Sequence, residues 1–187
     1  MPTSDAREKR VICGNVLRKP ISIKTIGLKG IIARTASSPL SQARLRQIVQ
    51  GVAASEQEWL SLVRYDLDRR WYQRLTSDDD HEVWLLSWLP GQRTGFHDHG
   101  ESAGAFAVAR GALRERTAPG RRPGPSAAVP RGEVRSFGPW YIHDVINASV
   151  QPAVSVHAYS PPLTSMRRFQ FGPGGLERVT LETAVRW

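Results

Sequence analysis

The chain has 187 residues, enough for one domain with or without a tail. A domain of that size buries roughly 70% of its unfolded surface, so it needs no cross-links to build a core. The single cysteine, Cys13, excludes an internal disulfide framework and a zinc ribbon, and a reducing, cytoplasmic setting is the simplest expectation. No apolar run is long enough for a membrane span or the hydrophobic stretch of a signal peptide, so no membrane partner is expected.

The formal charge of +9 is unevenly placed. Residues 1–34 hold +6 of it, and every lysine lies at or before Lys29, after which the basic side chains are all arginine. This shift of composition sets the expected organisation: a basic, loosely ordered leader over 1–35 and a domain over 36–187. The leader lacks the aromatics that stack on single-stranded bases and has no clear amphipathic period, so nucleic acid is not an expected partner.

Leu40, Leu45, Ile48, Val49 and Val52 fall at helical spacing. Ser55 followed by Glu58 is a capping-box pattern that predicts a second helix running through Val63. From Arg70 onward the pattern turns to strands. Residues 71–76 and 82–89 are strand-like across a Ser-Asp turn, and 103–110 reads as a buried strand. The Pro, Gly and Arg-rich stretch 118–132 reads as a long polar loop. Short strands come next at 133–137, 140–147, 153–159, 166–171 and 177–181. Many short strands between Gly/Pro turns suggest a β-sandwich or barrel.

Four of the five histidines lie in this β region: His97, His99, His143 and His157. On a strand, His97 and His99 would share one face and could converge on one point. Imidazole nitrogen suits iron, copper, zinc and nickel, so the pair alone selects no metal. His81 comes after three aspartates and reads as a surface residue. Trp84, Trp88 and Trp140 read as core and wall.

The spacing Gly91, five residues, His97-x-His99, four residues, Gly104, six residues, Gly111 resembles the first cupin motif, with glycine where that motif has its acid. His143 with Asn147 matches the H-x3-N of the second. The resemblance implies an all-β fold, a single cupin (jelly-roll-like) β-barrel with the N-terminal helices packed outside it. It also implies a first shell of neutral imidazoles, with Gly104 leaving no carboxylate.

His97-Asp98-His99-Gly100, His143 before Asn147, and the run 152–162 (PAVSVHAYSPP) look like cysteine dioxygenase over roughly residues 40–170. The resemblance to that family implies Fe(II) held by His97, His99 and His143. It also implies a hydrogen-bonded relay through Ser155, His157 and Tyr159, and a Y-x-R element, Tyr72 and Arg74, that takes the substrate carboxylate. His157 as third ligand in place of His143 stays open on sequence grounds. Animal members cross-link a cysteine to the relay tyrosine; that position is Gly104 here, as in bacterial members. The activity implied is oxidation of L-cysteine to cysteine sulfinic acid, with a small thiol and O2 as partners and a monomer or weak homo-oligomer as the assembly. A 3-mercaptopropionate dioxygenase and a non-catalytic, metal- or ligand-sensing cupin are the alternatives.

Overall fold

The computed structural model describes residues 38–183; the expected leader and Cys13 lie outside them. Two antiparallel sheets make up most of this part. The first helix, α1 (Gln42–Ala54), begins where the Ser41 hydroxyl accepts a bond from the Arg44 amide. The second helix is cut short: α2 spans Glu56–Trp59 and decays into a 3-10 turn, Leu60–Leu62. Ser55 makes no side-chain cap for it. Its hydroxyl instead donates 3.1 Å to the Gly51 carbonyl at the end of α1, so the predicted capping box does not form.

The strands are β1 (Tyr72–Ser77), β2 (Glu82–Trp88), β3 (Phe96–His97), β4 (Ala103–Arg110), β5 (Ala112–Thr117), β6 (Ser126–Pro130), β7 (Val134–Phe137), β8 (His143–Ile146), β9 (Ala153–Ser160), β10 (Ser165–Gly172) and β11 (Gly175–Thr183). One sheet runs β1-β2-β9-β4-β7 and the other β11-β10-β3-β8-β5-β6. The expected loop 118–132 therefore contains a strand, β6, which borrows regularity from pairing along β5. The expected strand over 140–147 begins only at His143, because Trp140 takes a left-handed backbone angle (φ 63°).

Period-two alternation sorts the five-stranded sheet into two buried faces. Val83 and Leu85 of β2, Ala105 and Ala107 of β4, and Val154, Val156 and Ala158 of β9 form one apolar cluster with Leu45, Val49 and Trp59 of the helical segment. Leu86, Trp88, Phe106, Val108 and Tyr159 point the other way. There they meet Leu113, Val129 and Val145 of the second sheet. The helices thus share a core with one sheet's outer face, and the space between the sheets is left for chemistry. Gly111 makes the β4–β5 turn with φ 71°, where a Cβ would come within 2.7 Å of the Pro152 carbonyl oxygen.

Candidate metal centre

His97 and His143 are directly opposed across β3 and β8. β3 ends at His97, so His99 reaches the same place from the turn beyond it rather than from one strand face. The ring centroids of His97 lie 4.7 Å from both His99 and His143. One nitrogen from each of the three residues lies within 4.8 Å of the others, and all three are buried. His97 Nδ1 is 2.9 Å from the Gly95 carbonyl oxygen, which leaves Nε2 free. Neither nitrogen of His99 has a hydrogen-bond partner, although both are buried. Its ring is instead held between Phe137 (5.1 Å, stacked) and Tyr159 (4.7 Å). Burial, together with the neighbouring imidazoles, holds His97 and His99 well below the usual histidine range. Neutral, converging imidazoles with an orphaned buried nitrogen fit a divalent transition-metal ion.

Gly104 sits beside this cluster. A Cβ there would come within 2.5 Å of the Phe137 ring and 3.0 Å of Tyr159, so the local packing has no room for a carboxylate side chain. Asp98, between two of the histidines, points away and is tied to Arg167 through Nε at 2.8 Å and a second guanidinium contact. That pair joins the end of β3 to β10.

Ser155, His157 and Tyr159 lie on the face of β9 turned toward the second sheet. Ser155 Oγ is 2.8 Å from His157 Nε2, and Tyr159 Oη is 3.3 Å from His157 Nδ1. Trp88 Nε1, which can only donate, gives its proton to Ser155 Oγ at 2.8 Å. The other partner of Ser155 Oγ is His157 Nε2, the one acceptor its hydroxyl proton has among the described residues, and this sets the direction of the chain. The serine hydroxyl donates to Nε2 of a neutral His157, Nδ1–H donates to the tyrosine oxygen, and the phenolic proton is left for another acceptor. Burial, and Arg70 after it, keeps His157 neutral, and burial raises the Tyr159 phenol well above its ordinary value.

A cavity between the sheets is lined by His97, His143, His157 and Tyr159, with Arg70 and Tyr72 on one wall. His157 therefore faces the cavity from the sheet opposite the His97–His143 pair, bonded within its own chain. Arg74 is not among the lining residues. It is 54% exposed, 3.5 Å from the buried Glu82 carboxylate, with its guanidinium 5.4 Å above Trp84. The arginine on this wall is the half-buried Arg70, one of whose guanidinium nitrogens donates to the Arg93 carbonyl at 3.3 Å. It lies 4.8 Å over the Trp88 ring, and its Nε is buried without a partner. Burial and the nearby Arg168 lower its pKa to about 10, so it remains cationic at neutral pH. Arg70, Tyr72 and Arg74 alternate along the chain; of the two arginines, Arg70 lines the cavity and Arg74, the one expected from sequence to take a carboxylate, lies outside it. His81 is half-buried against Asp80 (2.7 Å) rather than free on the surface.

Facing antiparallel sheets with three buried imidazoles converging between them define a two-sheet β protein with a candidate metal centre. The family model described as cysteine dioxygenase type I matches residues 28–171, and the chain belongs to that family. It is similar to the cysteine dioxygenase type 1 of Danio rerio, 29% identical over 147 residues that cover 71% of this chain and 72% of that protein. The Homo sapiens protein of the same name is 24% identical over 158 residues, 78% of each chain. Among solved structures, a Klebsiella pneumoniae protein with a double-stranded β-helix domain superposes with a TM-score of 0.50 at 18% identity, covering 67% of this chain and 95% of that one. A Thermus thermophilus protein gives the same score at 21% identity, covering 55% and 93%. These two likenesses concern the fold.

Proposed function

We propose that this protein is an Fe(II)-dependent thiol dioxygenase that converts L-cysteine to cysteine sulfinic acid, both atoms of O2 being added to sulfur. The observation that carries the proposal is one cavity that three elements reach. His97 and His143 of the three-histidine cluster line it, His157 and Tyr159 line it at the end of the Trp88–Ser155–His157–Tyr159 chain, and so does the half-buried Arg70, whose Nε has no partner. An Fe(II) ion bound by the three histidines would supply thiolate coordination and electron transfer to dioxygen. The other tasks belong to the chain. Arg70, cationic and partly unpartnered, takes the substrate carboxylate, with Tyr72 beside it. Tyr159 keeps its proton and offers it toward the sulfur and the oxygen. Leu86, Val145 and Leu163 line the cavity with apolar surface and limit the water that reaches it.

Oxygen uptake by Fe(II)-loaded protein tests this, with L-cysteine and 3-mercaptopropionate compared and the product weighed for a gain of two oxygen atoms. Uptake with cysteine is expected. Arg70→Ala should lower kcat/KM by about 10–100-fold, the worth of a charged hydrogen bond. Arg74→Ala should cost roughly fivefold or less, the range of an exposed ion pair. A larger loss in Arg74→Ala would return the carboxylate to the outer arginine. Preference for 3-mercaptopropionate would overturn cysteine as the substrate, and no uptake with any thiol despite bound iron would overturn the enzyme.

A further inference from the structure

The three histidines are supported unequally. His97 turns Nδ1 to a backbone carbonyl, and His99 has no hydrogen bond at all. His143 Nδ1 lies 2.7 Å from Glu115 Oε1, and both side chains are buried. The contact arises from sheet register. Glu115 of β5 is opposite Val145 and Thr117 is opposite His143, so Glu115 and His143 are diagonal neighbours on one face. One further group faces the carboxylate: Arg135 Nε lies 3.6 Å from Oε2.

We infer that Glu115 is a positioning residue for the metal, supplying through His143 the negative charge that the first shell lacks at Gly104. A buried carboxylate accepting the Nδ1 proton fixes the tautomer and leaves Nε2 as the ligating nitrogen. It also makes that imidazole a stronger donor and lowers the energy of added positive charge at the metal. Gly104 cannot take this role, since even a Cβ there collides with Phe137. The charge therefore sits one residue behind the ligand, where it occupies no coordination position. Arg135 opposes it from the half-buried side, so the two residues pull in opposite directions.

The inference rests on the metal reading above, and its test does not depend on turnover. Glu115→Gln keeps the shape and an oxygen acceptor while removing the charge. Co(II) affinity, measured by competition with a chelator, should fall by about 10–100-fold. The midpoint potential of bound iron should rise, because the more highly charged state loses its neighbour. Arg135→Gln should move the potential the other way. It also provides the test should Glu115→Gln fail to fold, which metal-free melting curves would reveal. If wild-type protein binds neither Co(II) nor iron, the metal centre itself is overturned. If wild type binds metal but affinity and potential are unchanged in the folded variants, Glu115 alone loses its role.

Discussion

The two walls of the cavity are built to different degrees of completion. On the β9 wall every polar atom of the chain from Trp88 to Tyr159 has a protein partner except the last phenolic proton. On the β3–β8 wall the polar atoms are left over. His99 has two buried nitrogens without partners, and His97 and His143 each spend only Nδ1 on the protein. Buried, unsatisfied polar atoms destabilise a fold by about 1–3 kcal/mol each unless something binds them. The difference teaches that the hydrogen-bonded chain on β9 is complete as folded, whereas the three imidazoles opposite are arranged as if for a cation.

His99→Ala is the strongest way to break this contrast. Its ring is held by stacking on Phe137 and Tyr159, so the substitution removes a ligand without breaking any hydrogen bond. Metal affinity should fall by more than the ~10–100-fold typical of losing a group behind a ligand, and oxygen uptake should vanish with it. The metal-free fold should survive with a changed melting temperature. Retained stoichiometric metal in His99→Ala would show that His157 or another group completes the site.

Acid is the next lever. His97, His99 and His157 are all held neutral by burial, against an ordinary value of 6.5. Below about 6.5 the unfolded chain takes up protons that the folded chain refuses, so folding stability is full above that pH and declines as pH falls through it. Metal-free melting temperature should therefore drop between about pH 7.5 and pH 5. His99→Ala should flatten the slope, since one fewer buried imidazole is involved. A melting temperature independent of pH over that range would mean that the folded and unfolded chains bind the same number of protons, so that burial does not hold these imidazoles neutral.

Much of this was legible in the residues because it rests on short-range periodicity. Alternation along 153–160 places Ser155, His157 and Tyr159 on one face and Val154, Val156 and Ala158 on the other, as the packing shows. The spacing of His97, His99 and His143 singled out the cluster, although His99 arrives from a turn and not from a strand. What escaped depends on depth and register. Arg70 and Arg74 share a period, and their alternation could not tell that Arg70 lines the cavity while Arg74, next to a bulge, lies outward beside the buried Glu82. Glu115 reaches His143 only through a diagonal across two strands, which no local pattern encodes. The strand β6 was hidden in a Pro- and Gly-rich stretch because its order comes from β5.

The finest test concerns Trp88, which reads as wall from sequence and starts the hydrogen-bonded chain in the structure. Trp88→Phe keeps an aromatic face for the Arg70 guanidinium above it, so the carboxylate grip and KM should change little. It removes the N–H donor to Ser155 Oγ, so the serine loses one of its two hydrogen-bond partners and is held less firmly against His157. kcat should fall by about 2–10-fold, the worth of one ordinary hydrogen bond. Because Trp88 acts through Ser155, adding Ser155→Ala to Trp88→Phe should cost little more than Ser155→Ala alone. Additive losses would mean that Trp88 serves only as packing and that its bond to Ser155 does not act through the chain.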